Sequence, residues 1–556
     1  MKSIIKRILL YFLVLMLLGL ASCGEVEPLP QPQNPTDAPS QEQLPVFNEN
    51  DPVFGLGYAI QKATGNRQGV YYEVFVRAFA DSDGDGIGDI NGLISKLDYL
   101  NDADPETSTD LGVTGIWLMP VNATVSYHGY DVTDYYAINP EYGIMADFER
   151  LLAEAHKRGI AVMMDLVLNH TSDKHEWFIS ATHPESPYRD WYHWTLDGSE
   201  GYNLHASKWG HEIWNKRNGG YYLGLFWSGM PDLNYDNPEV RQEAKRIAGF
   251  WLEKGVDGFR LDAVPHIYDG SEVLNTGDSV ERTVAWWQEF TDYCHEIKPE
   301  SLIVGEVLDE NAVTRATYLA SLDATFHIGL GTQIANALKA GKSKNGYLNA
   351  YITNSFAQYE KTNPDFLDAP MLSNHDQNRF IGNVGGKHEL MKVAASIYLT
   401  LEGIPFIYYG EEIGMYGAKP DEDIRLPFVW GNDDPCQSKW RASKYDKVII
   451  PASQQEKDKD SLLTHYKRLI RVRNANEALY AGKFHPLTSD NEAVLAYGMT
   501  SEHQSAIVVH NLSQTRQTVG LSTEGYSLVF CQAKEGFSAG EGRVSLPPLS
   551  SAIFVK

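Results

Sequence analysis

Eight short apolar runs, separated by amphipathic stretches of helical period, constrain the fold of this 556-residue chain more than any other feature. This alternation is typical of a parallel α/β fold. Helical patterns over 147–158 and 239–254 each end at a glycine, as helices often do. Further helices are predicted over 280–297, 387–402 and 460–474. Eight strands with intervening helices predict a (β/α)₈ TIM barrel. The predicted strands are 70–79, 112–119, 160–168, 256–263, 302–308, 324–328, 368–373 and 403–409.

Two parts of the chain break this alternation. Residues 170–237 follow the third predicted strand, are dense in Trp, Tyr, His and Gly, and greatly exceed a usual barrel connection. They predict an inserted subdomain that forms one wall of a cleft at the carboxyl ends of the strands. After residue 482 the helical pattern stops, and alternating segments predict a C-terminal antiparallel β-sandwich over 483–556. These segments are 492–499, 505–511, 526–531 and 551–555. The barrel itself is expected to span 58–169 and 238–482.

The amino terminus has the layout of a secretory signal, with basic residues before an apolar run from Ile8 to Leu20. The run ends in Leu-Ala-Ser-Cys, which resembles the lipobox of bacterial lipoproteins and implies that Cys23 is lipidated. Residues 1–22 are thus predicted to be a signal peptide, and residues 23–57 a disordered tether. The expected location is the outer membrane or cell envelope, lipid-anchored and open to surface exposure. The alternative is a plain cleaved signal with an incidental cysteine.

The charge balance excludes one class of partner. Acidic residues outnumber Lys plus Arg by 73 to 47, which gives a formal charge of −26. Such a surface repels phosphate backbones, so nucleic acid is not an expected partner. The sequence leaves the oligomeric state open.

Polar residues gather at the ends of four predicted strands, where barrel enzymes place their active sites. Arg260 and Asp262 share one face of a strand, so the guanidinium is expected to keep that carboxylate ionised, as a nucleophile requires. A structural ion pair is the alternative. Glu306 has no cation beside it in its own motif and is expected to retain a proton. Core packing does not explain three carboxylates and two histidines at four strand ends. These residues are Asp262, Glu306, Asp376, His170 and His375.

Four segments carry a family resemblance. In chain order they are DLVLNH, GFRLDA, GEV and NHD, and they resemble the four signature segments of the α-amylase family, glycoside hydrolase family 13. GIWLMP and MPDLN resemble two accessory segments of the same family. The likeness covers about residues 58–556, including the insertion and the terminal sandwich.

Carried over position by position, the resemblance implies Asp262 as the nucleophile, Glu306 as the general acid/base and Asp376 as the transition-state stabiliser. Hydrolysis with retention needs two carboxyls about 5–5.5 Å apart, one attacking C1 while the other protonates the leaving oxygen. A third carboxylate can hold sugar hydroxyls as the ring flattens. By the same resemblance the substrate-binding residues are Tyr130, His170, Arg260, His375 and Arg379.

Three positions bear on specificity. Ala263 follows the nucleophile where related oligo-1,6-glucosidases have Val, which by analogy favours α-1,4 bonds. Tyr127 stands where exo-acting relatives place an Asp that blocks the non-reducing end, although Arg425 matches the arginine that partners that Asp. The resemblance implies a retaining, endo-acting α-1,4-glucan hydrolase that acts on starch, glycogen or maltooligosaccharides. An exo-α-glucosidase, a neopullulanase or a transglycosylase of the same family is the alternative, and a non-catalytic glucan-binding lipoprotein is another.

The segment DSDGDGIGD at 81–89 places alternating carboxylates on a Gly-rich turn, with oxygen ligands suited to Ca²⁺. It begins like an EF-hand loop, but position 12 would be Gly92 and not Glu. It also resembles a loop after the first barrel strand of oligo-1,6-glucosidases, which implies a structural divalent cation. A solvated acidic turn is the alternative. The expected ligands of a structural Ca²⁺ are Asp81, Asp83, Asp85, Ile87 and Asp89.

Overall fold

Eight parallel strands form one sheet that curves into a nearly closed barrel. The computed structural model describes residues 67–104, 107–199, 201–218, 220–268, 277–343, 346–431, 433–533 and 535–556. The predicted signal peptide, Cys23 and the tether lie outside these residues. Neighbouring strands pair in chain order from β1 to β7, and β8 pairs with β1. The (β/α)₈ prediction is therefore confirmed. Strands β1 to β8 are Tyr71–Val74, Gly115–Leu118, Ala161–Leu166, Gly258–Leu261, Leu302–Gly305, Ala324–Phe326, Leu367–Ala369 and Phe406–Tyr408.

The prediction of a single strand over 70–79 is wrong in its second half. Strand β1 ends at Val74, and Val76–Phe79 is a short helix. The amide of Ala78 donates to the carbonyl of Phe75, which closes the turn. Both the strand and the turn are buried, so the whole run is hydrophobic. A hydrophobic run predicts burial but does not show where the backbone changes from strand to helix.

The helices around the barrel begin and end at the expected local signals. Pro238–Glu253 begins after Asn237, whose side chain accepts a hydrogen bond from the amide of Glu239, and it is followed by Gly255 at a φ of +110°. The α-helices are Val76–Phe79, Ile90–Ser95, Leu97–Leu100, Met145–Lys157, Glu176–Ala181, Pro238–Glu253, Ser279–Ile297, Ala312–Tyr318, Leu330–Ala340, Tyr347–Thr362, Phe380–Asn383, His388–Tyr398, Asp421–Ile424, Ala452–Gln455, Leu462–Ala475 and Glu477–Tyr480, with 3₁₀ turns at Arg189–Trp191 and Val264–His266.

Large side chains from alternate strand positions fill the barrel interior. Trp117 stacks on Phe326 with ring centroids 5.2 Å apart, and Tyr71 and Met163 belong to the same buried cluster. Nearer the carboxyl ends of the strands the residues on this inner face become polar. Glu73 lies two residues after Tyr71 and shares its face of the strand. A packed apolar layer thus lies beneath a layer of polar side chains at the carboxyl ends of the strands, which is called the polar floor from here on.

The stretch between β3 and Pro238–Glu253 holds the inserted subdomain. A three-stranded antiparallel sheet is built from Trp194–Thr195, Gly220–Leu223 and Trp214–Arg217. A separate hairpin pairs Ser207–Lys208 with His211–Glu212. A two-stranded sheet of Asn122–Thr124 and Val132–Ile138 precedes β3. The subdomain has a small core of its own, formed by Ile213, Trp214, Leu223 and Leu225.

The C-terminal residues form two antiparallel sheets packed face to face. One sheet has five strands and the other has three, and a buried cluster that includes Val509 and Val544 joins them. The predicted antiparallel sandwich is confirmed. The strands are Lys483–Pro486, Val494–Thr500, Ser505–Asn511, Gln517–Gly520, Ser527–Cys531, Ser538–Gly540, Arg543–Leu546 and Ser550–Val555. Within the described part of the chain, none of the helices has the length and apolar character needed to cross a bilayer.

Candidate active site

One buried guanidinium lies at the centre of the polar floor. Arg260, on β4, is 0% exposed. Its Nη1 lies 2.6 Å from Oδ1 of Asp262 and 2.9 Å from Oδ1 of Asp165, and its Nη2 lies 2.8 Å from Oε1 of Glu306. Glu306 has no cation in its own motif, but Arg260 of the neighbouring strand lies beside it. The reason is the register of neighbouring strands, which motif spacing within one strand does not reveal.

The pairing of β4 with β5 brings the predicted nucleophile and the predicted acid together. Leu261 is opposite Gly305 in the ladder, so Asp262 and Glu306 leave adjacent strands at the same level. Ala263 then takes a left-handed conformation, with a φ of +51°, and its amide donates to Oε2 of Glu306 at 3.1 Å. This conformation is uncommon for a residue other than glycine. The turn that ends β4 thus helps to fix Glu306 beside Asp262.

The third predicted carboxylate is held by two cations. Asp376 accepts from Nη2 of Arg425 at 2.8 Å and lies 3.1 Å from Nε2 of His375. Burial raises the pKa of Asp376, but His375 and Arg425 lower it far more, so the pKa lies well below its usual range. Asp376 is therefore a fixed negative charge at the edge of the site.

Tyr130 and His170 join the same group. The hydroxyl of Tyr130 donates to Oδ2 of Asp165 at 3.0 Å and lies 2.6 Å from Nε2 of His375. The ring of Tyr130 is stacked on the ring of His375, with centroids 5.6 Å apart. His170 lies 3.1 Å from the carbonyl of Tyr130, and burial lowers its pKa to about 4, so it is neutral near pH 7.

Arg379 does not reach this group. Its Nε and Nη1 donate to the carbonyls of Ile424 and Tyr409, and its guanidinium lies 4.2 Å from the ring centre of Tyr408. It is not among the residues that line the cavity above Asp262, Glu306 and Asp376. A direct contact of Arg379 with substrate therefore stays a prediction, and its contacts here support the loop that carries Arg425.

Two carboxylates of the floor were missing from the predicted site. Asp165 accepts from Arg260, and Glu73 on β1 has Oε1 at 2.6 Å from Nδ1 of His375. Both are almost fully buried. A sequence signal existed for each, because a charged residue inside an apolar strand is rarely buried without a partner. The partner itself comes from a distant strand and is invisible in the local sequence.

A cavity of about 360 Å³ opens above the three predicted catalytic carboxylates. Its polar lining includes Asp421 and Arg425, and its apolar lining includes Trp209 and Phe226, which the inserted subdomain supplies. The full lining is Tyr127, His128, Tyr130, His170, Trp209, Phe226, Trp227, Met230, Asp262, Ala263, Pro265, His266, Glu306, Leu308, Asp376, Asp421 and Arg425. The prediction that the insertion forms one wall of a cleft is confirmed.

Burial and the shared guanidinium act in opposite directions on the two central carboxyls. Burial raises the pKa of Asp262 and of Glu306, and Arg260 opposes the rise in both. The charge of Asp376 also raises the pKa of Asp262, and the charge of His375 lowers it by less. Burial raises the pKa of Asp165 to about 7, again against Arg260. Two carboxylates, Asp262 and Asp376, raise the pKa of Glu306, whereas at Asp262 the effect of Asp376 is partly offset by His375. Asp262 is therefore the carboxyl better suited to ionise, and Glu306 the one better suited to keep a proton.

The acidic loop after β1 brings three of its carboxylates together. Oxygen atoms of Asp81, Asp83 and Asp89 lie within 4.8 Å of one another. Asp85 does not belong to this group, and its Oδ1 accepts from the amide of Ile87 at 2.7 Å. Oxygen-only ligands of this kind fit a hard cation such as Ca²⁺. The loop is also tied internally, because Asp81 accepts from two backbone amides and Asp89 caps the helix Ile90–Ser95.

Comparisons with known proteins agree with this geometry. Residues 73–482 match the family described as alpha amylase, catalytic domain, and residues 494–553 match the alpha-amylase SusG C-terminal domain. Alpha-amylase 3 of Dictyoglomus thermophilum is 45% identical over 468 residues, which cover 82% of this chain and 87% of that protein. A 4-alpha-glucanotransferase of Thermotoga neapolitana is 32% identical over 468 residues, which cover 82% of this chain and 98% of that protein.

A solved structure shows the same fold. The crystal structure of an alpha-amylase from H. orenii superposes with a TM-score of 0.82 at 42% identity and covers 88% of this chain and 100% of that one. The family match spans both the barrel and the four strand ends that carry the buried carboxylates. The chain therefore belongs to the α-amylase family of glycoside hydrolases.

Proposed function

We propose that this chain is a retaining, endo-acting α-1,4-glucan hydrolase that degrades starch, glycogen or maltooligosaccharides. One observation carries the proposal: Asp262 and Glu306 contact the two terminal nitrogens of one guanidinium beneath an open cavity. Retaining hydrolysis needs two carboxyls about 5–5.5 Å apart, and binding to the two terminal nitrogens of one guanidinium suits that spacing.

The proposed reaction follows from the positions and the protonation of Asp262, Glu306 and Asp376. Asp262 attacks C1 of the sugar while Glu306 gives its proton to the leaving oxygen, which forms a glycosyl-enzyme and releases the first product. Glu306 then takes a proton from water, which attacks C1 and frees Asp262. Asp376 holds sugar hydroxyls as positive charge develops on the ring. Arg260 keeps both central carboxyls aligned through each step.

The endo preference rests on the residues that line the cavity around Arg425. Tyr127 stacks on Trp440, with ring centroids 5.4 Å apart, at the position where exo-acting relatives have the blocking Asp. Arg425 is instead bound to Asp376. Asp421 faces Arg425 at 3.6 Å, and its side chain is 38% exposed. The absence of the blocking Asp at position 127 supports entry of a longer chain.

A second candidate activity is transfer of the glycosyl group to a sugar acceptor. The similarity to a 4-alpha-glucanotransferase supports it, and so does the apolar part of the cavity lining, where a sugar can displace water. An exo-α-glucosidase or a neopullulanase would use the same carboxyls as the proposed endo-hydrolase. These activities differ only in which glycosidic bond of the glucan reaches those carboxyls.

Product analysis tests the proposed function. On soluble starch we expect mixed oligosaccharides early in the reaction, because an open cavity accepts internal bonds. Glucose as the sole early product would indicate an exo-glucosidase. Panose from pullulan would indicate a neopullulanase, and longer oligomers from maltotriose would indicate a transferase.

The general acid is tested by Glu306→Gln, which keeps the shape of the side chain and removes the transferable proton. We expect kcat on starch to fall about 10²–10⁴-fold, with oligosaccharide binding kept. Glu310→Gln, an exposed glutamate four residues further on, is the matched control and should behave like wild type. Unchanged turnover of Glu306→Gln contradicts the assignment.

The acidic loop is proposed to hold a structural Ca²⁺ through Asp81, Asp83 and Asp89, and Ile87 stays a predicted further ligand. An ion bound only by the native state adds about 2.7 kcal/mol at 100 times its Kd. A chelator is therefore expected to lower the melting temperature of the wild type. Asp81→Ala should already melt lower and should not respond to the chelator. A wild-type melting temperature that does not change with EDTA speaks against the site.

We also propose that Cys23 carries a lipid anchor that holds the enzyme at the outer membrane or cell envelope. The signal-like amino terminus and the Leu-Ala-Ser-Cys segment support this location. Cys23→Ala should move the enzyme from the membrane fraction to the soluble fraction. If both forms fractionate alike, the anchor is wrong.

A further inference from the structure

Glu73 is a buried carboxylate that the reaction outlined above does not use. It lies in the apolar strand β1, is 1% exposed, and contacts Nδ1 of His375 at 2.6 Å. A buried charge is costly unless it is paired and hydrogen-bonded. The charge of Glu73 at this buried position therefore depends on its partner, His375.

The hydrogen bonds fix the protonation of that partner. Asp165 accepts from Arg260, from the indole of Trp117 and from the hydroxyl of Tyr130. The hydroxyl oxygen of Tyr130 lies 2.6 Å from Nε2 of His375, and Nε2 also lies 3.1 Å from Oδ2 of Asp376. Asp376 is ionised because its pKa lies well below the usual range, so toward Nε2 it acts only as an acceptor. Both imidazole nitrogens thus face acceptors, and both must carry protons.

Charged and titratable groups face His375 from several elements. Its neighbour Asp376 and the facing Glu73 favour the charged imidazole, and Arg260 and Arg425 oppose it. Although burial lowers the pKa of His375, Asp376 and Glu73 raise it to about 10. The edge-on ring of Trp117 lies 5.6 Å from the imidazole. The groups that face His375 are Glu73, Tyr130, Asp165, Arg260, Asp262, Asp376 and Arg425.

We propose that Glu73 is a positioning residue that keeps His375 doubly protonated, so that His375 holds Asp376 in place and helps to keep Asp262 ionised. This inference rests on the proposed function. It assigns to β1 a part in the reaction, although β1 supplies none of the predicted catalytic residues. The charge of Glu73 is the essential feature, since a neutral acceptor would satisfy the same hydrogen bond without stabilising the imidazolium.

The test separates charge from hydrogen bonding. Glu73→Gln keeps an oxygen acceptor for Nδ1 and removes the negative charge. Loss of that charge destabilises the imidazolium, so the pKa of His375 must fall. In enzyme labelled with ¹⁵N-histidine, the His375 signals, assigned by their loss in His375→Asn, should titrate about one pH unit or more lower in Glu73→Gln than in wild type.

Kinetics supply the second readout. Because His375 acts on the reacting carboxyls, kcat of Glu73→Gln on maltooligosaccharides should fall more steeply above pH 7 than kcat of the wild type, with KM little changed. Glu412→Gln is the matched control, since Glu412 is equally buried and bonded to Tyr72 of the same strand but lies outside the site. Its pH profile should follow the wild type.

Coincident titrations of His375 in wild type and Glu73→Gln, or coincident pH profiles of Glu73→Gln and Glu412→Gln, would overturn the proposal. If Glu73→Gln does not fold, the NMR spectrum of the wild type alone decides. An imidazole of His375 with both nitrogens protonated at about pH 8 supports the proposal, and a neutral imidazole refutes it. The NMR measurement needs no substrate. A wild type that releases no sugar from starch would therefore overturn the proposed function and leave this result standing.

Discussion

The guanidinium of Arg260 is the interaction on which the rest of the site depends. It is fully buried, and it contacts carboxylates from β3, from the end of β4 and from the end of β5. Breaking a buried ion pair by removing one partner is strongly destabilising, because the other charge is left uncompensated. One side chain therefore holds the positions of Asp262 and Glu306 and balances much of the negative charge around them.

Charge is shared across the whole floor of the barrel. Five carboxyls face three cations: Glu73, Asp165, Asp262, Glu306 and Asp376 against Arg260, His375 and Arg425. With all groups ionised the cluster would carry an excess of two negative charges in a poorly solvated space. Part of the cluster therefore retains protons, and Glu306, whose pKa is raised by burial, Asp262 and Asp376, is the carboxyl proposed to keep one. The excess of carboxyls is what makes a proton donor available near neutral pH.

Much of this arrangement could be predicted from the sequence. The eight strands follow from hydrophobic runs, and the predicted catalytic carboxylates stand at strand ends, where local motifs reveal them. The contact between Arg260 and Glu306 could not be predicted, because it depends on the register of β4 against β5. The pairing of Glu73 with His375 joins residues 302 positions apart. The fold of the insertion places Trp209 and Phe226 in the cavity lining. The composition of the insertion predicts aromatic surfaces but not the positions of individual rings.

The most direct test of the central claim is the kcat/KM of Arg260→Lys on maltooligosaccharides. A lysine keeps the charge but cannot span carboxylates on separate strands, because its ammonium is a single point and not a fork. We expect kcat/KM to fall about 10²–10³-fold, as when a preorganised donor is removed from an active site. Arg315→Lys, at an equally buried arginine outside the site, should lose stability but little activity. A variant Arg260→Lys with kcat/KM near that of Arg315→Lys would contradict the account.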